Sequence, residues 1–126
     1  VRLLLDTDAL LWLLDGDQRL GVSARQDVER ADILAVSVAS LWEIAIKVSL
    51  AKLAPIPGLH RIIAELGFER LAISDAHLLA VESLPYHHRD PFDRLLISQA
   101  KVEAMTVLTS DPAFADYGIE VSDARA

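Results

Sequence analysis

Arg2-Leu3-Leu4-Leu5-Asp6-Thr7-Asp8 is a short apolar run closed by an acid and followed at once by helix-compatible sequence. An apolar run without polar alternation marks a strand buried on both faces, and such strands belong to parallel sheets covered by helices. The same unit recurs downstream. Ile33-Leu34-Ala35-Val36 reads as a second strand, Phe68 to Ile73 as a third, Thr106-Val107-Leu108 as a fourth and Ile119-Glu120-Val121 as a last short one. Helical stretches separate them. They run from Asp8 to Leu14, from Ser23 to Arg30 (Ser23 and Gln26 spaced as a capping box), and from Ser40 to Leu50. Others run from Leu59 to Leu66, from Ala76 to Ser83, and from Asp90-Pro91 to about Ala104. In the Ser40 helix, Leu41, Ile44, Ala45 and Val48 repeat at helical spacing and are expected to face the core. The expected fold is α/β, a central parallel sheet of four to five strands flanked by helices. With 126 residues, a single domain spanning residues 1–126 is expected.

A parallel sheet binds ligands outside the carboxyl ends of its strands, where strand order reverses. The acids to weigh are therefore those just past strand ends and in the helix turns that follow. Asp6 directly follows the first strand and Asp111 follows the Val107-Leu108 strand after Thr109 and Ser110. Glu43 lies early in the helix after the second strand, and Asp93 early in the helix leading into the fourth. Gathered in one cleft, such carboxylates repel, at about 4 kcal/mol per pair 4 Å apart for an effective dielectric near 20. Oxygen-liking divalent ions, Mg²⁺ or Mn²⁺, offset that repulsion, and they supply a water of lowered pKa and charge for a phosphate in transfer.

Composition bounds the alternatives. The formal net charge is −7 and the pI about 4.9. That balance argues against a nucleic-acid binder unless cations held by the acids reverse the local sign. There is no Cys, so disulfide frameworks and thiolate zinc sites are excluded. No apolar run is long enough to span a membrane, and the apolar start lacks the basic region of a signal peptide. A cytoplasmic protein is expected. Hydrophobic residues make up 52%, consistent with a well-packed monomer or with apolar surface covered by another chain.

Leu3-Leu4-Leu5-Asp6-Thr7, Trp42-Glu43-Ile44, Asp90-Pro91-Phe92-Asp93-Arg94-Leu95-Leu96-Ile97 and Leu108-Thr109-Ser110-Asp111 together resemble PIN-domain ribonucleases. More narrowly, they resemble the VapC-type toxins of toxin–antitoxin pairs. The resemblance runs, in order, over nearly the whole chain. It implies a PIN-like parallel sheet, Mg²⁺ dependence with Mn²⁺ as substitute, and endonucleolytic cleavage of RNA. It also implies a homodimer and a VapB-like antitoxin covering the acidic cleft. By motif position, Asp6, Glu43, Asp93 and Asp111 are the implied metal-holding and catalytic residues. Asp8 is a departure, since the family often has a non-acidic polar residue there.

Each acid also has a purely structural reading. Asp6 could cap the first helix, Glu43 could complete a capping box with Ser40 or pair with Lys47, and Asp111 could cap the segment starting at Pro112. Asp90 is best read as a helix cap and Asp93 as the ligand. Thr7 and Ser110 could orient carboxylates, while Arg94 and Lys47 could contact phosphate. His87-His88-Arg89 reads as a solvated loop, and Trp12 and Trp42 as core or interface. Two other functions share some features. A receiver-like phosphoacceptor module would use Asp6 and Asp8 but needs a Lys near its last strand, and none follows Lys101. A small aspartate-based phosphatase would use Asp6 as nucleophile and Asp8 as acid, but the later acids lack its expected Lys partner. An inactive interaction module would have no need of the intact acid set.

Overall fold

The structure, a computed structural model, describes all 126 residues. Five parallel strands form one sheet in the order β3-β2-β1-β4-β5. They are β1 (Arg2–Leu5), β2 (Ile33–Ser37), β3 (Glu69–Leu71), β4 (Thr106–Thr109) and β5 (Val121–Asp123). Central β1 is enclosed on both faces, as its leucine run requires: Leu3, Leu4 and Leu5 are all buried. Strand alternation then divides the core in two. Leu3, Leu5, Val36 and Leu108 pack on one face with residues of α1 (Thr7–Asp15), α2 (Val22–Arg30), α3 (Val38–Ser49) and α4 (Leu59–Glu65). Leu4, Ala35 and Val107 pack on the other with Leu96, Ile97 and Ala100 of α6 (Pro91–Glu103) and with Phe114 and Tyr117 of a short 3-10 helix, Pro112–Tyr117. Helix α5 (Asp75–Glu82) packs against α6.

Strand order reverses between β1 and β4. Leu5 sits beside Val36 on one side and Leu108 on the other, so the residues just past β1 and β4 emerge together at one edge.

Four local expectations need correction. Helix α2 begins at Val22 on Gly21, with no side-chain cap. The Gly21 and Ser23 amides donate instead to the carbonyls of Ala124 and Ala126, so the Ser23–Gln26 capping box is not used. That approach is tight: a Cβ on Gly21 would lie 2.2 Å from the Ala126 carbonyl carbon. Helix α3 begins at Val38 rather than Ser40, because the Ser37 hydroxyl accepts from the Ala39 amide. Ala45 is exposed, whereas Leu41 and Ile44 face the core as expected. Finally, β5 starts at Val121, two residues late, because Gly118 terminates the 3-10 helix in a left-handed conformation.

Candidate active site

A polar cleft of about 150 Å³ opens at the carboxyl ends of β1 and β4. Asp6, Thr7, Asp8, Glu43, Lys47, Asp90, Asp93 and Asp111 line it, with no apolar side chain among them. The four acids singled out from the sequence thus face one space, and Asp8 and Asp90 join them.

Four of these acids are held by hydrogen bonds from nearby backbone amides or hydroxyls. Asp6 is the N-cap of α1, and its Oδ1 accepts from the Ala9 amide at 2.8 Å. Its Oδ2 accepts from the Thr109 hydroxyl at 2.5 Å. The capping role and the site role therefore coexist in one side chain. Glu43, on α3, accepts from the Thr7 hydroxyl at 2.7 Å and pairs with Lys47 at 3.0 Å; Ser37, not Ser40, caps its helix. Asp90 caps α6, accepting from the amides of Phe92 and Asp93. Asp93 projects from the first turn of that helix. Asp111 accepts from the Ala113 amide at 2.9 Å and so caps the 3-10 helix.

Crowding and burial set the electrostatics. Asp6 is only 5% exposed. Burial pushes its carboxyl up to about 6, against the lowering effect of the Thr109 and Ala9 hydrogen bonds, while Asp8 and Asp111 add to the rise. Asp93 is pushed up to about 7, first by burial and then by Asp90. His88 opposes that rise, whereas Asp6 and Glu43 add to it. The hydrogen bond to Glu43 holds the Lys47 ammonium above its ordinary value. Six carboxylates face one ammonium, and two of them are poised to keep their protons near neutrality. A hard divalent cation would relieve both the repulsion and the protonation, and an all-oxygen donor set of this kind suits Mg²⁺ or Mn²⁺.

The supporting residues differ from those expected. Thr7 holds Glu43, as an orienting hydroxyl would. Ser110 does not line the cleft; Thr109, one residue earlier, donates to Asp6 and accepts from the Asp111 amide at 3.0 Å. The register predicts this in retrospect, since Leu5 pairs with Leu108 and the residues that follow each lie side by side. Arg94 is 6% exposed, and its terminal nitrogens donate to the carbonyls of Val81, Leu84, Pro85 and His88. It clamps the 81–88 segment and does not reach the cleft, where Lys47, its side chain 41% exposed, is the cationic side chain of the lining.

His88, expected in a solvated loop, lies 2.9 Å from Asp93 and 2.8 Å from Asp111 through Nε2. Its only sequence signal is the His-x-Asp spacing to Asp90, whose amide donates to His88 Nδ1. Trp12 is buried as expected. Trp42 is 59% exposed, stacked edge-on with Phe92 beside the cleft helices, and is not core.

Comparison with known proteins agrees with this layout. The family model described as "PIN domain" matches residues 3–120. No curated protein matches the chain. Among solved structures, the chain is similar to VapBC2 from Rickettsia felis bound to a fragment of its promoter DNA, with a TM-score of 0.75 at 16% identity. That match covers 97% of this chain and 98% of that one. DNA-bound VapBC from Salmonella typhimurium gives a TM-score of 0.71 at 16% identity, covering 98% of each chain. FitAcB from Neisseria gonorrhoeae gives 0.68 at 20% identity, covering 96% of each. Matched from within its first strand to the residue before its last, the chain belongs to the PIN domain family of nucleases.

Proposed function

We propose that residues 1–126 form one nuclease domain, a metal-dependent endoribonuclease that acts as the toxin of a toxin–antitoxin pair. The observation that carries this reading is the convergence of Asp6, Glu43, Asp93 and Asp111 on one cleft without apolar walls. In this reading those four side chains hold Mg²⁺, or Mn²⁺ in its place, either directly or, for Asp111, through a water. A divalent cation bound there supplies a water of lowered pKa and positive charge for the phosphodiester oxygens. The protein's own part is positional. Thr109 and the Ala9 amide orient Asp6, Thr7 and Lys47 orient Glu43, and Asp90 anchors the turn that presents Asp93. Lys47 is the cation of the cleft itself and would meet an adjoining phosphate.

The partners follow the same logic. A groove of about 500 Å³ runs between α3 and α4, with Leu41, Ile44, Val48, Ile56 and Leu59 among its walls. Helix α3 therefore borders both this apolar groove and the acidic cleft, which suits an antitoxin segment that packs on one and covers the other. The structural relatives named above are toxin–antitoxin complexes, which supports the same partner class. Exposed Leu78 and Leu79 on α5 and Val102 on α6 would be covered in a homodimer. No helix is long and apolar enough to cross a membrane, and an RNA substrate accords with a cytoplasmic site of action.

The deciding experiment incubates purified protein with a structured RNA in Mg²⁺, in Mn²⁺ and in EDTA, alongside Asp6→Ala and Asp93→Asn. Internal cleavage by wild type with either metal, and loss of at least 100-fold in both variants and in EDTA, is the expected result. Cleavage that persists in EDTA, or hydrolysis of a small phosphate ester with none of RNA, overturns the reading.

A further inference from the structure

The His88 imidazole stands between two acids of the cleft, and its other hydrogen bonds decide what it does there. Nε2 faces Asp93 Oδ2 and Asp111 Oδ2 at 2.9 and 2.8 Å. One imidazole and two carboxylates with their donor atoms within 4.8 Å of one another would, on residue types alone, be an ordinary ligand set for Mn²⁺ or a heavier ion. The second ring nitrogen argues otherwise. Nδ1 accepts from the Asp90 backbone amide at 3.1 Å. A nitrogen that accepts carries no proton, so the neutral ring keeps its proton on Nε2, the atom turned toward the carboxylates. A metal-binding imidazole shows the reverse, with a lone pair toward the ion and its N–H toward an acceptor.

The rest of the residue is equally constrained. The His88 amide donates to the Tyr117 hydroxyl at 2.8 Å, and its carbonyl accepts from Arg94 at 3.3 Å. The Tyr117 hydroxyl in turn donates to the Pro85 carbonyl, and the His88 ring lies edge-on to Phe114. Such a frame leaves the ring little freedom to turn Nδ1 toward the acids.

We propose that His88 is a positioning residue and not a metal ligand: its Nε2–H donates to Asp111 while Asp93 lies 2.9 Å from the same nitrogen, and the ring so holds these two carboxylates, from α6 and from the loop after β4, at a spacing that lets them share a divalent cation. This inference rests on the metal-nuclease reading above.

Mn²⁺ alone is the probe, added to the full chain and followed by electron paramagnetic resonance, with His88→Ala, His88→Gln and Asp93→Asn alongside. Wild type is expected to bind Mn²⁺ with no imidazole nitrogen directly bonded to the ion in pulsed spectra. His88→Ala should weaken Mn²⁺ binding about 10–100-fold, as loss of a ligand's orienting partner does. His88→Gln, whose amide N–H reaches near the same point, should recover most of that loss. A directly bonded nitrogen in wild type makes His88 a ligand and overturns the inference, and this readout needs no variant to fold. Equal Mn²⁺ affinity in wild type and His88→Ala overturns it as well, while Asp93→Asn still losing affinity leaves the metal reading standing. Wild type that fails to bind Mn²⁺, or Asp93→Asn that binds as wild type does, overturns the metal reading and this inference together.

Discussion

Asp6 shows how much one side chain carries. It ends β1, caps α1 and faces the cleft, and its two oxygens divide those duties between the Ala9 amide and the Thr109 hydroxyl. Removing the hydroxyl at nearly constant volume, by Thr109→Val, leaves a buried carboxylate short of a donor. That should cost about 1–3 kcal/mol at pH 8, measured by urea unfolding of metal-free protein, and less at pH 5, where Asp6 is protonated. The raised carboxyls give a wider pH signature. Asp6 and Asp93 move from the ordinary 3.8 to about 6 and about 7, so between pH 4 and 7 the folded chain binds more protons than the unfolded one. Stability then falls as pH rises through that window. Metal-free protein should melt several degrees lower at pH 8 than at pH 5, and Asp93→Asn should flatten most of the slope. A metal-free melting temperature that rises between pH 5 and 8 contradicts the raised values. At this scale the four acids could be read from their places after strands and at helix starts. Thr109 and His88 could not, because what defines each is a partner distant in sequence, Asp6 for one and Asp111 for the other. Arg94 misleads for the opposite reason. It adjoins Asp93 in sequence, but about 100° of helix rotation separates neighbours, and the turn takes Arg94 into the protein.

Among the elements, helix α6 has the clearest start in the sequence, since Asp90-Pro91 supplies both a cap and a first-turn proline. The same cap loads the site, because the Asp90 charge is the second cause, after burial, of the raised Asp93 carboxyl. Two substitutions separate these roles. Asp90→Asn keeps a good N-cap and removes the charge, so α6 should stay intact while Asp93 titrates lower, visible in a carboxyl NMR titration of metal-free protein. Asp90→Ala removes cap and charge together and should cost about 1 kcal/mol more than Asp90→Asn in thermal or urea unfolding. Equal stability of the two would mean the cap contributes nothing. The starts of α2 and α3 are less legible. Ser37 and Ser40 are both plausible caps for α3, and only the length of β2 decides between them. For α2 the donors are met by backbone carbonyls about 100 residues later, a partner no local pattern announces. Strands β1, β2 and β4 are the easiest to read, because apolar runs at the centre of a covered sheet leave little ambiguity; the exposed edge strands are not, since β3 covers only Glu69–Leu71 of the expected Phe68 to Ile73 and β5 starts two residues late.

Charge is the property of the whole molecule that bears most on function. A net −7 should repel RNA, and in the proposed reading the backbone would have to lie in a cleft lined by six acids. Arg94 is buried and offers no phosphate contact, and Lys47, the one ammonium of the cleft, does not by itself offset the six acids around it. In the proposed reading, divalent ions do two things at once, stabilising the fold and reversing the local sign. A ligand at 100 times its Kd adds about 2.7 kcal/mol, so Mn²⁺ should raise the melting temperature by a few degrees in wild type and not in a double variant, Asp6→Asn with Asp93→Asn. The same ions should govern association. A 2′-O-methyl RNA oligonucleotide that resists cleavage, followed by fluorescence anisotropy at constant ionic strength, should bind at least 10-fold more tightly with Mn²⁺ than with EDTA. The double variant should show no such difference, because what the metal supplies is charge held at the cleft rather than general screening. Equal affinity in EDTA and Mn²⁺ would mean that another face of the molecule binds the RNA, and the acidic cleft would then be a place for chemistry but not for recognition.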